Sequence, residues 1–147
     1  MNITGKLTIE LPDSTQIHDA DFAYFPHPWS SEQWLGLNPE QVILYSWREA
    51  DTLIGFCLLG FLAGDDVAHM LKIVVLPAYK MKGNASAFWS SISDSLKSKK
   101  ISRVYLEVQV TNKPAIGFYA KCGFKVLRTN KHYYSDGSDA FMMELTL

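Results

Sequence analysis

Three strand-length runs follow one another in the middle of the chain, Gln41 to Arg48, Thr52 to Ala63 and Val67 to Leu76, with little but turn residues between them. The separators, Ala50-Asp51 and Gly64-Asp65-Asp66, are too short for a crossover, so the runs are expected to pair antiparallel. The third run closes at Pro77, and a polar stretch with one glycine, Lys80 to Ser86, leads into a helix. Ala85, Phe88, Trp89, Ile92 and Leu96 recur at helical spacing and lie on one face of it. A strand, a glycine turn and a helix therefore form the centre of the fold. The middle run, Leu53 to Ala63, is interrupted by Gly55 and Gly60. It falls well short of the ~20 residues a bilayer span needs and reads as a strand buried on both faces.

The flanks fill in a mixed α/β order. Lys6 to Leu11 reads as a short strand, and Ile17, Ala20, Phe22 and Ala23 suggest a helix between Ser14 and Phe25. The prolines of Phe25-Pro26-His27-Pro28-Trp29 make that stretch a loop. Ser30 with Gln33 resembles a capping box opening a short helix that carries Trp34 and Leu37. After the central helix, Val104, Leu106, Val108 and Val110 alternate with Tyr105, Glu107 and Gln109, a strand with one polar face. Asn112 is a good N-cap, Pro114 falls in the first turn, and the helix stops at Gly123, suited to a left-handed cap. Phe124 to Arg128 and Asp139 to Leu145 read as closing strands around the loop Ser135 to Ser138. The 147 residues fit one domain, 1–147.

Composition removes several function classes. The formal charge is −1, with 48% hydrophobic and 20% charged residues, so no global basic field exists to hold nucleic acid or an anionic membrane. A phosphate must be bound locally. Cys57 and Cys122 have no CxxC spacing, which argues against a disulfide framework or zinc and fits a reducing, cytoplasmic setting. Met1 to Leu11 lacks the pattern of a signal peptide. His18, His27, His69 and His132 show no metal spacing and read as structural or surface histidines.

A helix N-terminus offers unpaired N–H groups and partial positive charge, and Lys80-Met81-Lys82-Gly83-Asn84-Ala85-Ser86 supplies one. Gly83 allows close backbone approach, Ala85 keeps the next contact small, and Lys80 and Lys82 add charge. The stretch is neither a Walker motif nor GxGxxG. It reads either as a phosphate cradle or as a plain strand-to-helix turn with solvated lysines.

Val75-Leu76-Pro77-Ala78-Tyr79-Lys80-Met81-Lys82-Gly83-Asn84-Ala85 resembles the coenzyme A signature of the GCN5-related N-acetyltransferases. Asn112-Lys113-Pro114-Ala115-Ile116-Gly117-Phe118-Tyr119-Ala120-Lys121-Cys122-Gly123-Phe124 resembles a second segment of the same family. Leu106-Glu107-Val108 before Asn112, with Tyr133-Tyr134 and Pro28-Trp29-Ser30, is most similar to the ribosomal-protein alanine N-acetyltransferase subgroup. Lys80 stands where the family has arginine or glutamine, Asn84 where it often has an apolar residue, and Gln109 where the subgroup commonly has arginine. The Gln109 departure bears on the acceptor.

The resemblance implies an α/β fold with a mixed, largely antiparallel sheet of about seven strands and about four helices. It implies acetyl-coenzyme A as cosubstrate, with no metal, bound by Ile73, Val74, Val75, Lys80, Met81, Lys82, Gly83, Asn84, Ala85, Ser86, Asn112 and Tyr119. The change from antiparallel to parallel pairing near Val75 is expected to open a gap where the pantetheine arm meets strand backbone. The partners are then acetyl-coenzyme A and either a protein or peptide N-terminus or a small-molecule amine, without nucleic acid or membrane. A homodimer is a further assembly this reading allows, and a coenzyme A-binding module without catalysis is the rival class.

Acetyl transfer needs a neutral amine and a proton for the departing thiolate. At neutral pH, freeing an α-amine of its proton costs about 1.4 kcal/mol, and a lysine nearer 4–5 kcal/mol. A modest base meets the smaller demand. Glu107, on the polar face of its strand, takes that role by resemblance; by residue type alone it reads as a solvent-facing glutamate. Tyr119 is the corresponding proton donor to the coenzyme A sulfur, and by spacing alone a core aromatic. Trp29, Glu107, Tyr133 and Tyr134 are the acceptor-side candidates, the aromatics reading equally as loop and edge-strand residues.

Overall fold

The computed structural model describes residues 5–61 and 64–147. In chain order they form β1 (Lys6–Glu10), α1 (Thr15–Tyr24), α2 (Ser31–Leu35), β2 (Val42–Glu49), β3 (Thr52–Phe61), β4 (Val67–Val75), α3 (Asn84–Ser98), β5 (Arg103–Gln109), α4 (Lys113–Lys121), β6 (Lys125–Asn130) and β7 (Ala140–Thr146). A 3-10 turn, Pro77–Tyr79, lies between β4 and α3. The last two residues of the expected middle run, 62 and 63, lie outside the described residues. Among the described residues, no helix is long and apolar enough to cross a membrane.

One seven-stranded sheet has the order β1-β2-β3-β4-β5-β7-β6. Every pair is antiparallel except β4 with β5. The two turn signals do produce the β2-β3-β4 meander, and the chain then returns through α3 to lay β5 parallel to β4. Leu53 to Leu59 are all buried because β3 is covered on both faces. Cys57 and Leu59 face a core built with Phe88, Trp89, Ile92 and Leu96 of α3; Phe56 and Leu58 face Ile17, Ala20 and Trp34 of α1 and α2. Gly55 lies opposite Val75, where a Cβ would sit 2.5 Å from the Val74 carbonyl oxygen, so this contact between β3 and β4 admits only glycine.

Local chemistry sets the helix ends. Ser30 and Gln33 form the full capping box, and Ser14 Oγ accepts from Ile17 N–H. Asn112 Oδ1 accepts from Ala115 N–H at the start of α4. At its end Gly123 N–H donates to the Ala120 carbonyl and Phe124 N–H to the Tyr119 carbonyl, with Gly123 at φ 103°. These two bonds are a Schellman cap, and its usual apolar contact joins Tyr119 to Phe124, ring centroids 5.7 Å apart. The cap consumes the Phe124 N–H, so β6 starts one residue later than expected.

Two departures from the expected pattern occur in β4. Its pairing with β5 is confined to Val67–Arg103, Ala68–Val104 and His69–Tyr105, so the strands part after His69, earlier than the expected position near Val75. In addition, β4 carries a bulge opposite the Leu58–Leu59 step. It leaves Leu71 without a partner and turns Lys72 to the α1–α2 face, away from the side its alternation with Ala68 and Met70 would give.

Candidate active site

Where β4 and β5 separate, the backbone from Lys72 to Val75 is paired on its β3 edge and open toward β5. Ile73, Val74 and Val75 lie on this stretch. Beyond it, Leu76 N–H donates to the Ile54 carbonyl, and the chain turns through Pro77–Tyr79. Met81 and Gly83 then take left-handed conformations, φ 61° and 81°, before α3 begins at Asn84. The first helical bond is donated by Ala87 N–H to the Gly83 carbonyl, so Asn84, Ala85 and Ser86 have N–H groups with no partner inside the helix. Lys80, Met81, Lys82, Gly83 and Ser86 are exposed there. This combination fits a diphosphate: free amides at a helix start, no side chain at Gly83, and two lysines beside it.

Asn84 has a different part from its neighbours. Its side chain is buried, accepts from Trp47 Nε1 at 3.3 Å and donates to the Tyr79 carbonyl at 3.1 Å. It pins the turn to β2 and to the 3-10 segment while its amide remains available. A groove of about 430 Å³ between α3, Lys121-Cys122 and the end of β7 shares Ser86 with the turn but runs away from Glu107.

Glu107 lies on β5 beyond the last residue paired with β4, with β7 on its other side. Its Oε2 is 2.6 Å from His69 Nε2; a carboxylate only accepts, so the imidazole donates. The His69 ring lies flat on Tyr105, centroids 4.2 Å apart and 9° from parallel. His69 and Tyr105 are partners in the short parallel ladder, which places the imidazole over β5 and within reach of Glu107. Burial, with the Glu107 charge nearby, raises the phenols of Tyr105 and Tyr133. Tyr134 is pushed up to about 12 by burial, with Tyr133, Glu107 and Asp136 adding to it. The Glu107 charge thus bears on all three phenols.

Tyr119 stands on α4 with its ring fixed by the Schellman contact to Phe124. Burial is the main cause that raises its phenol, with Cys57, Tyr134 and Cys122 contributing, so it keeps its proton at neutral pH. Asn112 sits at the head of the same helix with its Oδ1 on Ala115 N–H.

The remaining acceptor-side candidate lies elsewhere. Trp29 is half-buried, its ring 4.5 Å from Lys72 Nζ and edge-on to Trp34 at 5.3 Å. From the same loop it is His27 that faces the site, stacked on Tyr134 at 4.4 Å and 11°. By sequence pattern alone His27 and His69 read as ordinary histidines, and Tyr105 as one more residue of an alternating strand. Tyr105 carried a usable signal, since it shares the polar face of β5 with Glu107. Gln109 donates to Ser138 Oγ at 2.9 Å and anchors the turn that carries Tyr134. Among the described residues, no three His, Cys, Asp or Glu side chains are grouped to hold a metal ion.

Comparison with known proteins bears on the family and the fold. The model of the Acetyltransferase (GNAT) family matches residues 10–124. An N-alpha-acetyltransferase of Sulfurisphaera tokodaii is 40% identical over 80 residues, 54% of this chain and 48% of that protein, so the chain spans about half the length of that relative. The [ribosomal protein bS18]-alanine N-acetyltransferase of Escherichia coli is 26% identical over 151 residues, covering 100% of this chain and 99% of its own. The crystal structure of the ribosomal-protein-S18-alanine N-acetyltransferase from Escherichia coli matches with a TM-score of 0.82 at 23% identity, over 97% of this chain and 93% of that one. Arabidopsis thaliana NAA60 in complex with acetyl-CoA matches with a TM-score of 0.82 at 18% identity, over 98% and 99%. At these identities the two structures speak for the shared fold.

Proposed function

The chain belongs to the acetyltransferase (GNAT) family, and on that premise we propose that it transfers the acetyl group of acetyl-coenzyme A to the α-amine of a protein or peptide N-terminus. The observation that carries the reading is the Glu107–His69 pair, held at 2.6 Å where β4 and β5 part. Relatives named for acetylating N-termini and the ribosomal alanine support the choice of acceptor. The two free cysteines, Cys57 buried and Cys122 half-buried, support a cytoplasmic setting.

In this reading the free amides of Asn84 to Ser86, with Lys80 and Lys82, hold the diphosphate, and the open edge of Ile73 to Val75 aligns the pantetheine arm. Glu107, oriented by His69, takes a proton from the incoming ammonium. At neutral pH an α-amine loses its proton for about 1.4 kcal/mol, far less than a lysine side chain requires. The neutral amine then attacks the thioester carbonyl directly, the carbon–sulfur bond breaks, and the second proton shed by the nitrogen ends on the departing coenzyme A thiolate. Tyr119 supports the departing sulfur. Because burial raises its phenol, full transfer of its proton to the departing thiolate is uphill. Its main contribution is therefore a hydrogen bond to the charge growing on sulfur.

Release of the coenzyme A thiol, followed with peptides bearing a free α-amine and with small amines, tests the proposal. Turnover with peptides that falls in Glu107→Gln is the expected result. Turnover confined to small amines would reassign the acceptor, and tight acetyl-coenzyme A binding without any turnover would refute catalysis.

A further inference from the structure

We infer that Lys72 is a positioning residue for the acceptor, acting through the Phe25–Trp29 loop; this rests on the acetyl-transfer reading above. Lys72 is 2% exposed, in a strand whose neighbours are apolar. An ammonium so placed needs a complete set of partners. It donates to Asp21 Oδ1 at 2.8 Å and to the His27 carbonyl at 3.2 Å, and lies 4.1 Å from the Phe25 ring centroid and 4.5 Å from that of Trp29. The other oxygen of Asp21 accepts from Trp29 N–H at 2.8 Å and Trp34 Nε1–H at 3.0 Å. Burial lowers the Lys72 ammonium and the Asp21 carboxylate opposes that.

The consequence lies in the loop. Pro26 and Pro28 remove two backbone donors from it, so it has few hydrogen bonds of its own with which to hold a shape. Phe25, His27 and Trp29 are each fixed by Lys72 or Asp21 instead. His27 is held through its carbonyl, and its ring lies on Tyr134, whose N–H bonds to the carbonyl of Ser138, the residue held by Gln109, two positions beyond Glu107 on β5. Lys72 therefore reaches from β4, whose open edge is assigned to the cosubstrate, to the wall that an acceptor meets. The bulge in β4 turns its side chain to this face.

Lys72→Met keeps the aliphatic stem among the rings and removes the N–H donors. It is expected to raise KM for the peptide about tenfold, with kcat within about twofold and acetyl-coenzyme A affinity unchanged. Amide hydrogen exchange at Trp29, whose N–H bonds to Asp21, is expected to quicken. Lys72→Gln, which retains donors for Asp21 and the His27 carbonyl, is expected to recover part of the KM and serves as the test where the Met variant does not fold. A folded variant with unchanged peptide KM overturns the proposal, as does a loss shared by kcat and cosubstrate affinity. A wild-type enzyme silent toward all peptides overturns the choice of a peptide acceptor, and one silent toward every amine overturns acetyl transfer itself, which separates these failures from that of Lys72.

Discussion

Glu107 and His69 are 38 residues apart, and a short parallel ladder brings them within 2.6 Å. Glu107→Gln keeps the shape but loses the base, so kcat is expected to fall by about 10²–10⁴ with acetyl-coenzyme A affinity unchanged, as steady-state kinetics and calorimetry would show. Tyr119→Phe is expected to slow turnover less, since the ring still packs on Phe124; unchanged turnover would remove it from the reaction. Asp21 offers a test by stability. With both side chains of the Lys72–Asp21 pair fully buried, Asp21→Ala strands a charge and is expected to cost about 3–5 kcal/mol in urea unfolding. Glu107 was legible because it alternates with Leu106 and Val108 inside a motif. His69, Lys72 and Asp21 were not, because each is explained by a partner far away in the chain, and no local pattern announces such a partner.

The elements were read more fully than the side chains they carry. The capping residues Ser30, Gln33, Asn112 and Gly123 act within four residues of themselves, so their meaning is local and survived folding. Asn112→Ala is expected to cost about 0.5–2 kcal/mol through the lost cap, measured by thermal or denaturant unfolding. Gly55→Ala is expected to be worse than an ordinary strand substitution. Its methyl meets the Val74 carbonyl oxygen at 2.5 Å, and relief requires moving the β4 edge assigned to the cosubstrate. The bulge in β4 and the early end of the β4–β5 ladder were not legible. Both depend on how neighbouring strands fit, and strand alternation in sequence carries no record of that. Trp29 illustrates the cost: Lys72 draws its ring inward, and from the same loop it is His27 that stacks on Tyr134.

Over the whole molecule, the tyrosines on which the Glu107 charge bears leave a signature in pH. Tyr134 is raised from about 10 when unfolded to about 12 when folded, so between these values the native chain binds more protons than the unfolded one. Its share of stability is full below the lower value and is lost as pH rises through the upper. Tyr105 and Tyr133 shift in the same direction. The urea midpoint is expected to decline between pH 10 and 12, with a shallower decline in Tyr134→Phe. The near-neutral charge has its counterpart in where the lysines stand, since Lys80 and Lys82 supply locally what the molecule lacks globally.

The most direct measurement gives the enzyme acetyl-coenzyme A and one peptide carrying both a free α-amine and an internal lysine, and locates the acetyl group by mass spectrometry. Acetyl on the α-amine, lost with Glu107→Gln, is the predicted result. Acetyl on the lysine alone, or none on either amine, would contradict the account.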